Sequence, residues 1–183
     1  MMEIKDRLAQ LIRETPDVIQ RGDFTLVSGI RSSYFIDLEE LMKIQEGSEL
    51  IAEAMAELLG DLETFHGRRY TLLGVKNGGY NVARSMGNRI GRRTVGIDPK
   101  INTIDEELNP TLPHALVDDV ASAYSSVARC SDLVFSKYGF RPPLVIYVVD
   151  TKRGGQLSKQ NLQRMQADVY AVLYPEDLGL NTN

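Results

Sequence analysis

Apolar positions recur at helical spacing through much of the first sixty residues and then give way to short, unbroken apolar runs. Between Ile4 and Ile19, residues Leu8, Leu11 and Ile12 fall on one helical face, and Pro16 is predicted to break this element or start a second. Phe24–Leu26 and Tyr34–Leu38 read as short strands around Ser28-Gly29. Between Glu46 and Gly60, residues Leu50, Ile51, Ala54, Met55, Leu58 and Leu59 line a second helical face, with Gly60 as its predicted stop. From residue 70 onward strands and helices alternate. Tyr70–Val75, Thr94–Ile97, Ala115–Val117, Leu144–Val149 and Val169–Leu173 read as strands, and Tyr80–Ile90 and Ser125–Tyr138 as helices. The second of these helices turns Val127, Cys130, Leu133, Val134 and Tyr138 inward, and a polar, acidic stretch runs from Asp98 to Pro113. Unbroken apolar strands are those buried on both faces, so the pattern predicts an α/β fold with a central, mostly parallel sheet flanked by helices. No repeat or linker interrupts it, and residues 1–183 are expected to form a single domain.

Composition narrows the function classes. With 21 Lys and Arg against 25 Asp and Glu, the formal charge of −4 argues against a dedicated nucleic-acid binder. Arg68-Arg69 and Arg92-Arg93 are read as solvated faces. The single Cys130 excludes an intrachain disulfide and a Cys-rich zinc site, and it fits a reducing compartment, with the cytoplasm as the expected location. His66 and His114 stand alone, without metal-ligand spacing, and are read as surface or structural residues. No stretch reaches the ~20 apolar residues of a membrane span, so no membrane partner is expected.

In open parallel sheets, ligands bind beyond the carboxyl ends of the strands. Three segments there carry unusual chemistry. Gly74-Val75-Lys76-Asn77-Gly78-Gly79 joins two glycines, a helix start and a lysine: a phosphate cradle, or a tight turn that only glycine fits. Leu116-Val117-Asp118-Asp119-Val120 ends a buried strand on two carboxylates, followed by Ala121-Ser122-Ala123-Tyr124-Ser125-Ser126. Adjacent acids at such a place call for a cation or hydroxyl donors, so Asp118 and Asp119 are expected to bind sugar hydroxyls or hold Mg²⁺ through water. The bland alternative is a strand end whose serines cap the next helix. Asp150-Thr151-Lys152-Arg153-Gly154-Gly155 suits carboxylate or imide recognition, and equally a solvated turn.

These segments resemble the type I phosphoribosyltransferase family. Leu116–Val120 with its serine-rich sequel is similar to that family's motif for phosphoribosyl pyrophosphate (PRPP). Phe24–Gly29 followed by Ser32–Asp37, Gly74–Gly79, Asp150 with Arg153-Gly154, and Val169–Leu173 followed by Glu176-Asp177-Leu178 resemble segments of its orotate-using branch, in the same order along essentially the whole chain. The resemblance implies the family's fold, with a small N-terminal hood. It also implies displacement of pyrophosphate from C1 of Mg²⁺-bound PRPP by a nucleobase such as orotate, and a homodimer. By the same resemblance, Asp118 and Asp119 would bind ribose hydroxyls, and Ser122, Ala123, Tyr124, Ser125 and Ser126 would surround the 5′-phosphate. Lys76, Asn77, Gly78 and Gly79 would face pyrophosphate, and Phe35, Ile36 and Arg153 would border the base. Mg²⁺ would arrive with PRPP, with no direct protein ligand assigned.

The chain also departs from that pattern. Tyr124 stands where the family has glycine, so its phenol would fill the phosphate space or contact the phosphate through its O–H. Val27 replaces a lysine, and Ile30 an arginine, with Arg31 adjacent. The family's basic catalytic loop is shortened to a segment in which Lys100 is the candidate catalytic residue, beside Asp105-Glu106-Glu107, whose carboxylates would repel pyrophosphate. The alternative function is a non-catalytic relative that senses PRPP or a nucleotide monophosphate, or acts through protein contacts.

Overall fold

Strand residues of alternate parity point to opposite faces of a sheet, and here both faces are covered. In the computed structural model, which describes residues 2–180 except Val27, Leu72, Ala115, Val117, Ile146 and Val148 pack on one side with Leu8, Ile12, Ile51, Met55, Val82 and Met86. Leu73, Val75, Ile97, Leu116, Val145 and Tyr147 pack on the other with Val127, Cys130, Leu133, Val134 and Met165. This two-sided burial explains why the strands read as continuous apolar runs rather than alternating ones.

The elements run in the order α1 (Ile4–Glu14), β1 (Ile19–Thr25), β2 (Arg31–Ile36), α2 (Leu38–Met42), α3 (Gln45–His66), β3 (Thr71–Val75), α4 (Gly78–Ile90) and β4 (Thr94–Asp98). They continue through β5 (Thr103–Ile104), β6 (His114–Ala121), α5 (Ser125–Tyr138), β7 (Leu144–Asp150), α6 (Gly155–Met165) and β8 (Asp168–Leu173), then a 3-10 turn at Pro175–Leu178. Six strands form the main sheet in the order β5-β4-β3-β6-β7-β8, parallel except for β5. Strands β1 and β2 form a separate antiparallel hood with an irregularity between Arg21 and Phe24. Because β3 lies between β4 and β6, the turn after β3 is flanked by the carboxyl ends of both neighbours. No helix among the described residues is long and apolar enough to cross a membrane.

Several boundaries differ from the sequence expectation. Gly60 does not end α3: the helix continues to His66 and stops at Gly67, which adopts φ 64°. An interior glycine costs a helix about 1 kcal/mol, and here buried Leu59 and Leu62 on either side of it keep the helix packed. The predicted strand 34–38 ends at Ile36, because the Asp37 carboxylate accepts from the Glu39 N–H at 3.1 Å and caps α2. Helix α6 has no apolar stripe to announce it, since its buried positions are Ser158, Asn161 and Met165. Arg92 is not a solvated charge either. It forms a two-pronged ion pair with Glu63, its Nη2 lying 2.6 Å from Oε2, and joins the end of α3 to the turn after α4. Burial alone would push the Glu63 carboxyl up, but Arg92 and the Tyr70 N–H together hold it below its usual range. His114 is buried and stacked on Phe140, a structural position.

Candidate functional site

Strand β6 does not stop at Val117 but runs on to Ala121, so Asp118 and Asp119 stand within its second half, where they are fitted to the glycines at the start of α4. A Cβ on Gly78 would collide with the Asp119 carboxylate, and one on Gly79 would stand 2.6 Å from both Asp118 Oδ1 and the Val117 carbonyl. Glycine is required here for close approach, and the approach brings the first turn of a thirteen-residue helix against two acids. Asp118 is 8 % exposed. Its Oδ1 accepts from the Asp119 N–H at 3.0 Å, while Asp119 Oδ1 accepts from the Val120 N–H at 2.8 Å. Burial, reinforced by the neighbouring charge, raises the Asp118 carboxyl well above the ordinary range, and burial raises Asp119 as well. A buried acid beside a half-buried one, with so little compensation, is poised for a cation or for hydroxyl donors.

The loop between β6 and α5 is held from three sides. Thr151 donates through its backbone N–H (3.0 Å) and its hydroxyl (2.7 Å) to the Ala121 carbonyl. Asn161 Nδ2, from α6, donates to the Ala123 carbonyl at 2.7 Å and to Ser125 Oγ at 3.3 Å. Tyr124 adopts a left-handed φ 58°, ψ 17°, and its phenol donates to Asp150 Oδ2 at 2.7 Å. The phenol is thus directed to Asp150 and its ring is buried beside Tyr147. Burial first, then the Asp150 carboxylate, raises its pKa. Ser122 and Ser125 are half-buried and Ser126 is exposed, around the N-terminus of a fourteen-residue helix whose first N–H groups face outward along its axis.

Lys76 lies on the opposite flank of the site from this loop. Its backbone N–H donates to the Ile97 carbonyl at 2.9 Å, the Lys76–Asn77 peptide is cis, and its ammonium pairs with Asp105 Oδ1 at 2.7 Å. Lys100 is exposed in the turn after β4, with its backbone N–H on Asp98 Oδ1 at 2.8 Å. Strand β4 is two positions from β6, so Lys100 starts roughly 10 Å to the side of the acidic pair and is not gathered with it.

A cleft of about 470 Å³ opens beside the hood, lined by Phe24, Arg31, Ser32, Ser33, Arg153 and neighbours. Arg153 donates to Ser32 Oγ and stacks 3.5 Å from the Tyr34 ring centroid, tying the β7–α6 loop to the hood. Phe35 is exposed and lies 6.0 Å from the Phe24 ring. Ile36 is not beside the cleft: alternation along β2 turns Ser32, Tyr34 and Ile36 inward, and Ile36 belongs to the core. Of the departures noted in the sequence, Arg31 does line this cleft, whereas Val27 lies outside the described residues. Sequence reasoning missed Asn161 and the pairing of Lys76 with Asp105. The first sits in a helix without apolar periodicity, and the second joins residues 29 positions apart.

For Mg²⁺, the Asp118 and Asp119 carboxylate oxygens are hard donors suited to the ion or its waters. Among the described residues no group of three or more His, Cys, Asp or Glu is gathered to hold a metal. The donor set therefore fits an ion shared with an oxygen-rich ligand.

No protein-family profile matches the chain. It is 24 % identical to the orotate phosphoribosyltransferase of Methanococcus maripaludis, covering 98 % of this chain and 96 % of that one. It is 28 % identical to the Aquifex aeolicus enzyme of the same name, covering 97 % and 99 %. Among solved structures, the orotate phosphoribosyltransferase from Aeropyrum pernix superposes with a TM-score of 0.73 at 22 % identity, over 94 % of this chain and 99 % of that one. The Mycobacterium tuberculosis orotate phosphoribosyltransferase in complex with PRPP superposes with a TM-score of 0.71 at 23 % identity, over 97 % and 100 %.

Proposed function

We propose that the chain is a type I phosphoribosyltransferase related to the orotate phosphoribosyltransferases, which binds PRPP with Mg²⁺ and transfers the phosphoribosyl group to a nucleobase, orotate foremost. The observation that carries this reading is the pair of buried Asp118 and half-buried Asp119 set against the Gly78-Gly79 loop and beside the α5 N-terminus. In this reading Asp118 and Asp119 accept hydrogen bonds from the ribose hydroxyls. Ser122, Ala123, Ser125 and Ser126 surround the 5′-phosphate, with Tyr124 acting on the loop through Asp150. The segment Lys76–Gly79 faces the pyrophosphate, and Phe35 and Arg153 border the base. A base nitrogen forms its bond to C1 as the C1–O bond breaks; the electron pair leaves with pyrophosphate, and any proton on that nitrogen passes to solvent. Mg²⁺, when bound, would neutralise part of the charge on the pyrophosphate oxygens. The residues supply positioning, and the two carboxylates favour the positive charge that develops on the ribose.

The same reading takes the protein to be a homodimer in a reducing compartment, which sedimentation and fractionation would check. The central test is thermal stabilisation by PRPP with Mg²⁺, followed by pyrophosphate release on adding orotate or other free bases. Stabilisation is expected for the native chain and lost in Asp119→Asn; equal stabilisation of the variant would remove ribose binding from Asp119. Binding without turnover on any base would favour the sensing role instead.

A further inference from the structure

The pairing of Lys76 with Asp105 is built into the sheet edge. Strand β5 joins β4 through Ile97↔Ile104 and Asp98↔Thr103, and the Asp105 N–H donates to the Gly96 carbonyl at 3.0 Å. Gly96 leaves the space that the pair occupies: a Cβ there would collide with the Asp105 carboxylate and stand 2.8 Å from Lys76 Cε. The next residue, Glu106, is held by Arg93, which anchors the segment from the other side. Asp105 raises the Lys76 pKa, chiefly through their hydrogen bond, so the ammonium is fully charged and already partnered. An anion reaching Lys76 must displace a carboxylate that the backbone keeps in place, and it then faces that carboxylate as a like charge.

We propose that Asp105 is a specificity-determining residue, which by holding Lys76 makes this site favour ligands with a single 5′-phosphate over those that also carry a diphosphate on C1. The inference rests on the phosphoribosyl reading above and deepens it. The selectivity follows from the sheet order. Asp105 stands on the β4–β5 side of the Lys76 turn, whereas the 5′-phosphate loop follows β6 on the other side. Ribose 5-phosphate or a nucleoside monophosphate meets only the second, and PRPP must meet both.

Calorimetric titration of the native chain and Asp105→Asn with PRPP plus Mg²⁺, and separately with ribose 5-phosphate, tests this. The variant is expected to bind PRPP about tenfold tighter, the scale of a removed like charge against a multiply charged anion. Its affinity for ribose 5-phosphate should stay within about twofold. No gain for PRPP, or an equal gain for both ligands, would overturn the proposal. A second readout needs no ligand: in reductively ¹³C-methylated protein, the Lys76 resonance should titrate at lower pH in Asp105→Asn, and in Gly96→Ala, which displaces the carboxylate without removing it. An unmoved Lys76 titration would show that the pair does not form, and the inference fails whatever the ligands do. If the Lys76 titration moves but neither ligand binds either protein, the phosphoribosyl reading itself falls and takes this specificity with it.

Discussion

Burial of Asp118 beside Asp119 places a pH-dependent cost on the folded chain. A carboxyl whose folded-state pKa is raised binds its proton more tightly in the native than in the unfolded protein, so stability falls as pH rises between the two values. The cost is absent below the ordinary carboxylate pKa of about 4 and complete above the raised native value. Asp118→Asn keeps an acceptor for the Asp119 N–H and removes the charge. Near neutral pH it should raise the melting temperature by about 2–4 °C, the scale of ~1 kcal/mol in a chain of this length. The gain should vanish as the pH approaches ~4, so scanning calorimetry at both ends of the range checks the sign. A variant less stable than the native chain at neutral pH would show that the ionised pair is compensated. At this scale the sequence was informative where residues are neighbours: two adjacent acids following an apolar run are visible in one line of text. It was uninformative about Lys76, whose partner arrives on another strand.

At the scale of elements, the β6–α5 loop depends on β7 and α6 for its shape. Tyr124 holds a backbone conformation that costs a non-glycine residue about 1–2 kcal/mol, yet its ring is buried and its hydroxyl satisfied. Tyr124→Phe should lower stability by about 1 kcal/mol by removing the hydroxyl from Asp150. Tyr124→Gly relieves the torsion but forfeits a buried aromatic side chain worth about 3–5 kcal/mol, so a net loss of roughly 2 kcal/mol is expected. Denaturant melts of the two variants separate these contributions; a Tyr124→Gly chain more stable than the native one would mean that the torsion outweighs the packing. The unbroken strands β3, β6 and β7 were legible in the sequence because burial on both faces leaves one readable composition. Helix α6 was not, because its inward face carries Ser158, which donates to the Arg153 carbonyl ahead of its own helix, and Asn161, which donates to the Ala123 carbonyl of the β6–α5 loop. Gly60 misled for the opposite reason, since packing on either side of it outweighs its local preference.

Across the whole molecule, the hood and the main sheet meet at Arg153. Its guanidinium reaches Ser32 and the Tyr34 ring from the loop after β7, so it joins parts of the chain 121 positions apart. Arg153→Ala should leave the six-stranded sheet intact and loosen the hood. Amide hydrogen exchange is expected to quicken in β1 and β2 while β3, β6 and β7 stay protected, and equal protection everywhere would show that core packing alone seats the hood. The general plan of sheet, flanking helices and hood could be read from the order of apolar runs and motifs. The balance of charge around the site could not, because it depends on which strands become neighbours: β4 and β5 bring Asp98 and Asp105 to one flank, β6 brings Asp118 and Asp119 to the other.

The fit between Gly78-Gly79 and Asp118-Asp119 also changes how these four positions can drift over time. Adding a side chain to either glycine meets a carboxylate, and at Gly79 also the β6 backbone, so Gly79 cannot be replaced even if the opposing acid changes. The acids carry no such bar, since a neutral or smaller side chain fits the same space, so a lineage released from selection for catalysis would lose the carboxylates before it lost the glycines. Survival of the glycines in a relative is therefore a record of steric fit. The surroundings of Lys76, where Asp105 can come or go one substitution at a time, are the better marker of which descendants still turn over.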